Sequence, residues 1–185
     1  VKEAIIWIDA EFSGTQPQAD ELLEIAAIIT DLNGKQIGYP FESLFDVANL
    51  SKTIARSSDL VKEMHDKSGL WFDLWSSETE SFRTVQSNLL AWIENLVPDE
   101  TVLYFGGNSI TKDRNFVEVN LPEVYERISH QSVDVTSLAI TLKANAAASS
   151  FAKDHKHRAL ADVRESIGEY LHYVNFIKSH VRSAA

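Results

Sequence analysis

The predicted elements run β-β-β-α-β-α-β-α, an order that specifies an α/β protein with a mixed five-stranded sheet flanked by helices. Three observations carry this reading. Short apolar runs rich in β-branched residues occur at residues 4–8, 22–30 and 101–105. Asn33-Gly34 follows the second run as a hairpin turn would. Two segments, Phe82 to Leu96 and Leu160 to Ile177, place apolar residues at helical spacing.

The first strand, Ala4 to Ile8, ends in Asp9-Ala10-Glu11-Phe12-Ser13-Gly14. Gly14 to Asp20, with Pro17, reads as a turn. Leu22 to Thr30 has strand character, although Leu, Glu and Ala leave a helix open. The Asn-Gly turn then leads to Lys35–Phe45 as hairpin partner, so the sheet starts as an antiparallel meander. Ile54 to His65 reads as a helix and His65 to Leu70 as a loop. Ser77 and Glu80 have capping-box spacing before the helix that ends at Pro98. The aromatic residues of that helix belong to the core by their spacing.

Thr101 to Phe105 is a buried strand broken by Gly106-Gly107-Asn108-Ser109, with a helix from Ile110 to Val119. Pro122 near a first helical position marks another. Val133 to Val135 is the fifth strand, Thr136 to Ala147 a helix, and Ser149 to Lys156 a mobile basic loop before the last helix. With no linkers or repeats, residues 1–185 read as a single domain.

Composition narrows the chemistry. There is no cysteine, so disulfides and thiolate metal sites are excluded and any metal must be held by Asp, Glu or His. That is compatible with the cytoplasm. No apolar run is long enough to span a bilayer and no signal-peptide pattern is present, so no membrane partner is expected. The net charge of −10 argues against binding long nucleic acid mainly through phosphate neutralisation. A nucleic-acid ligand would be short or gripped locally. Phosphate-binding glycine loops and the Gly-x-Ser-x-Gly elbow are absent.

What remains is carboxylates and histidines. Strand alternation puts Asp9 and Glu11 on one face, where two buried like charges need a compensating cation. A divalent metal would serve, and a solvated strand end is the plain alternative. Asp113 lies one helical turn after Ser109 and could overlook the same strand ends, or could be a surface residue beside Lys112 and Arg114. Asp162 falls in the first turn of the last helix and His157 just before it, positions suited to metal binding and proton transfer. The same arrangement also occurs for structural reasons alone.

Taken together, Asp-x-Glu, a central Asp and His-x-x-x-x-Asp before the final helix resemble the DEDDh (DnaQ-like) exonuclease superfamily. The segments WIDAEFSG, LLEIAAIITD, HDKSGL, GNSITKDRNF, DVTSL and HRALADVRESI resemble, in order, segments of the oligoribonuclease family within it. The resemblance implies a ribonuclease H-like fold and a metal-dependent 3′-to-5′ exoribonuclease. Such an enzyme degrades short single-stranded RNA to nucleoside 5′-monophosphates.

It further implies that Asp9, Glu11, Asp113 and Asp162 hold two divalent cations, Mg²⁺ or Mn²⁺, with Asp9 shared between them, and that His157 accepts a proton from the attacking water. Phe12, Ser13 and Gly14 would cradle the 3′-terminal nucleotide, while His65, Asn108, Ser109 and Thr136 match family positions near the substrate. A homodimer is implied as well. Three positions depart from the family pattern: Thr15 replaces a Leu that wedges between bases, Leu60 a Trp, and His130-Gln131 a Tyr-Arg pair. An Arg–phosphate contact is worth ~1.5–3 kcal/mol, so its loss weakens the means of measuring a dinucleotide. A DEDDh exonuclease acting on longer RNA or single-stranded DNA is therefore an alternative, and a catalytically inactive RNA-end-binding module is a second.

Overall fold

The computed structural model describes residues 2–144, 151–154 and 156–182. Its sheet has the order β3-β2-β1-β4-β5, built from β1 (Glu3–Phe12), β2 (Leu22–Thr30), β3 (Gln36–Leu44), β4 (Val102–Gly107) and β5 (Ser132–Asp134). β1 lies at the centre, antiparallel to β2 and parallel to β4. Every residue of β2 is buried, which fits a strand covered on both faces and removes the helical alternative. The β2–β3 hairpin turns where Asn-Gly stands. The Asp31 carboxylate accepts from the amides of Asn33 and Lys35, and Gly34 takes a left-handed φ of 80°.

Alternation along β1 divides the core. Ala4, Ile6, Ile8, Ala10 and Phe12 face a layer that includes α4 (Phe82–Leu96), α5 (Thr111–Asn120) and α6 (Pro122–Arg127). Ile5 and Trp7 face the opposite side, against α7 (Val135–Ala144) and α8 (Ala159–Arg182). Asp9 and Glu11 continue that second row, so the same rule that buries Trp7 aims both carboxylates toward the start of α8.

The sequence reading needs correction in several places. The helix expected over Ile54–His65 is two helices, α1 (Leu50–Arg56) and α2 (Asp59–Ser68), parted at Ser57-Ser58. Ser58 is extended and its hydroxyl accepts from the Val61 amide, so a capping residue splits the helix. The loop expected after His65 is the end of α2, a left-handed Gly69 cap and α3 (Leu70–Ser76). Ser77 and Glu80 form no capping box. Ser81 caps α4 by accepting from the Thr84 amide, while Glu80 bonds Ser43 and Asn88 instead.

Gly106-Gly107 does not break β4 but completes it, because β1 needs the room. A Cβ at Gly106 would sit 2.4 Å from Ile5 Cγ2. The described residues of the segment before α8 fold back on that helix. The Asp154 amide donates to Glu165, and Phe151 packs near Gly168. Residues 145–150 and 155, including the expected end of α7, lie outside the described residues. Among the described residues no helix is long and apolar enough to cross a membrane.

Candidate active site

β1 outlasts its parallel partner. The β1–β4 ladder ends at Trp7–Gly106, leaving that edge of residues 8–12 open where β1, β4 and β5 reach their carboxyl ends. Ligands of open α/β sheets bind at such ends. A cleft of about 310 Å³ opens there, lined by Asp9, Glu11, Phe12, Asp113, His157 and Asp162 among others.

The structure thus brings together all five residues named for metal binding and proton transfer. Donor atoms of Glu11, His157 and Asp162 all lie within 4.8 Å of one another, close enough to share one ion. Asp113 enters from the first turn of α5, and its Oδ1 accepts from the free-edge amide of Ala10 at 3.1 Å. Asp9 sits among them and is not part of the three-residue group.

These carboxyls disfavour one another's charge. Burial, followed by the charges of Asp113, Glu11, Asp162 and Glu24, raises Asp9 well above the usual carboxylate range. Burial, with Asp162, Glu24 and Asp113, lifts Glu11 from 4.5 to about 8. Burial lifts Asp113 to about 7, opposed by its amide contacts and Lys112. A set of oxygen donors held this close, and reluctant to ionise without a cation, fits a hard divalent metal.

The residues expected near the substrate divide into two groups. Phe12 packs its ring 4.0 Å from that of Phe116, with Lys112 above it, and forms an apolar floor. Asn108, Ser109 and Thr136 form a chain of side-chain hydrogen bonds at the ends of β4 and β5, tied to α8 through Asn108 and Ser166. Ser13 is turned elsewhere: its Oγ accepts from the Glu21 amide and closes the loop after β1. Gly14 leaves room for Asp20, whose carboxylate would lie 2.2 Å from a Cβ.

His65 is fully buried and offers no surface to a substrate. Its Nε2 lies 2.9 Å from the Phe12 carbonyl, which can only accept, so Nε2 carries the proton. Nδ1 has no hydrogen-bond partner and faces Glu11 Oε2 at 3.8 Å. Burial lowers the His65 pKa and keeps the ring neutral.

The sequence reading missed Glu24 and Arg158. Glu24 on β2 stands opposite Glu11, 1% exposed, and is gripped by the Arg158 guanidinium. A signal was available: a lone Glu inside an otherwise apolar buried strand requires a cationic partner.

Comparison with known proteins identifies the family. The exonuclease (RNase T) family model matches residues 6–170. The chain belongs to the exonuclease family. A probable oligoribonuclease of Schizosaccharomyces pombe is 31% identical over 95% of this chain and 69% of its own length. An oligoribonuclease of Mycobacterium leprae is 32% identical, covering 92% of this chain and 80% of its own.

Among solved structures, a zinc-bound complex of E. coli exonuclease I with single-stranded DNA superposes with a TM-score of 0.65 at 15% identity, over 97% of this chain. The exonuclease I of Methylocaldum szegediense gives 0.61 at 18% identity over 95%. This exonuclease chain spans less than half of those two chains, 43% of each, and shares with them the ribonuclease H-like fold.

Proposed function

We propose that the protein is a metal-dependent 3′-to-5′ exoribonuclease that shortens small oligoribonucleotides to nucleoside 5′-monophosphates. The convergence of Glu11, His157 and Asp162 beside Asp9 and Asp113 at the open edge of β1 carries this reading. Asp9, Glu11, Asp113 and Asp162 would hold two divalent cations, Mg²⁺ or Mn²⁺. Bound there, such ions supply Lewis-acid activation of water and stabilise charge on the attacking and leaving oxygens.

The chain's own residues do the rest. His157, exposed on the cleft wall, takes a proton from the attacking water as general base. Phe12 underlies the terminal base, and the Asn108–Thr136–Ser109 chain presents polar groups to the sugar and phosphate. Ser13 and Gly14 act indirectly by shaping the loop beneath that nucleotide. His65 holds the Phe12 carbonyl, and so the end of β1, in place. The described residues form one exonuclease domain in this reading, which acts in the cytoplasm as a homodimer, a state that light scattering tests.

A second reading has specific support. Thr15, where a base-wedging Leu was expected, and Leu60, where a Trp was expected, are both exposed, Leu60 to 75%. A chain without that wedge discriminates less against longer RNA or single-stranded DNA. The test is hydrolysis of an end-labelled dinucleotide, an RNA 20-mer and a DNA 20-mer with Mg²⁺ or Mn²⁺. Faster cleavage of the dinucleotide supports the first reading, and preference for either 20-mer replaces it with the second. Equal residual activity in Asp9→Ala would leave an inactive RNA-end-binding module.

A further inference from the structure

The residue after the proposed base lies in a network that catalysis does not use. Arg158 points its guanidinium away from the cleft. Nε lies 3.1 and 3.3 Å from the two Glu24 oxygens, Nη2 2.8 Å from Glu24 Oε1, and Nη1 2.7 Å from Asp73 Oδ2. Glu24 Oε2 also accepts from the amide of Ala159, the first residue of α8, at 2.9 Å. A carboxylate on β2 therefore satisfies one of the orphan donors at the start of α8. Asp73 lies on α3, so a third element joins the grip.

The residue between this grip and the cleft is strained. His157 has a φ of 52°, a left-handed conformation uncommon for a residue with a side chain. Such conformations persist where surrounding contacts over-determine them. The Glu24–Arg158 fork and the Ala159 cap supply those contacts within two residues of His157. Glu24 is also opposite Glu11 in the β1–β2 ladder, so one carboxylate references both halves of the site.

We propose that Glu24 and Arg158 are positioning residues. They clamp the start of α8 to the sheet and hold His157 and Asp162 at the separation from Glu11 that lets the three converge. The inference rests on the nuclease reading for its kinetic consequence but not for its structural one. Fork geometry matters here: an ammonium cannot reproduce the paired contacts of a guanidinium.

The test compares Arg158→Lys, Arg158→Gln and Glu24→Gln with Asp73→Asn in the full chain, each checked for folding by circular dichroism. Three readouts are taken: Mn²⁺ affinity by titration calorimetry, kcat and KM on a short RNA, and hydrogen exchange at the start of α8. Outer partners of metal ligands are typically worth 10–100-fold in affinity or activity. Arg158→Gln and Glu24→Gln should lose Mn²⁺ affinity and kcat by about that factor, with KM nearly unchanged and faster exchange at Ala159. Arg158→Lys should fall between these and the wild type, and Asp73→Asn should lose least.

Folded Arg158→Gln and Glu24→Gln variants with wild-type Mn²⁺ affinity and exchange would overturn the clamp. Should either fail to fold, Arg158→Lys decides, and wild-type Mn²⁺ affinity there overturns it equally. A wild type that binds Mn²⁺ but cleaves no RNA, alongside variants that bind it more weakly, would remove the nuclease reading and leave the clamp standing.

Discussion

Replacing Glu11 with Gln should stabilise the metal-free protein at pH 8, although it removes a proposed metal ligand. Folding raises this carboxyl from 4.5 to about 8, chiefly by burial and then by Asp162, Glu24 and Asp113. The folded state therefore holds the proton more tightly than the unfolded chain. The stability so gained is fully present below pH 4.5 and is lost as pH rises through about 8. Each tenfold difference in proton affinity is worth about 1.4 kcal/mol. Between pH 4.5 and 7 the loss from Glu11 alone amounts to about 3 kcal/mol.

That is a large part of a total stability of ~5–15 kcal/mol. Gln keeps the shape and never ionises, so the variant escapes this loss. Urea unfolding with a chelator at pH 5 and pH 8 measures it. With slopes of ~1–3 kcal/mol per molar, the wild-type midpoint should drop by about a molar or more across that range, and that of Glu11→Gln by less. Adding Mg²⁺ or Mn²⁺ should restore the wild type at pH 8 and restore the variant less. A Glu11→Gln protein less stable than wild type in chelator at pH 8 would refute the reasoning, because burial would then not be penalising the charge.

Three further outcomes are expected. His157→Ala should lower kcat by about 10²–10⁴-fold, the range for a general base, with the unfolding midpoint unchanged. His65→Phe should cost ~1–3 kcal/mol by leaving the buried Phe12 carbonyl unpaired. In the wild type, burial lowers the His65 pKa from 6.5, so its contribution is present above 6.5 and lost as pH falls through the lower folded value; His65→Phe should flatten that acid limb of the stability profile. Gly106→Ala should cost ~1–3 kcal/mol by overpacking against Ile5 and Trp7, read as a lower urea midpoint.

Much of the site could be read from the sequence, because it depends on periodicity. Strand alternation put Asp9 and Glu11 on one face, and the helical pattern put Asp162 at the start of α8. Both rules act within one element. What escaped notice depends on contacts between elements. The burial of His65 follows from how α2 and α3 pack, and neither Ser58 as a cap nor Gly69 as a left-handed link interrupts the apolar pattern strongly. Glu80 has the spacing of a capping residue, yet it is used to join β3 to α4. Arg158 reads as one charge beside a histidine until β2 and α3 are placed next to it. Gly14 opens the turn read after β1, and that turn is shaped by the Ser13 hydrogen bond and by the room Gly14 leaves for Asp20.

The division of the site between β1 and α8 has a consequence for the newly made chain. Asp9 and Glu11 come from the first strand, whereas Asp162 comes from the last described helix and His157 from the segment just before it. A chain emerging from the ribosome has its carboxylate strand early and its proton acceptor late. Under the nuclease reading, the half-made protein is harmless to the RNA around it, and cutting begins only once α8 has docked. Synthesis itself would then act as the safety catch.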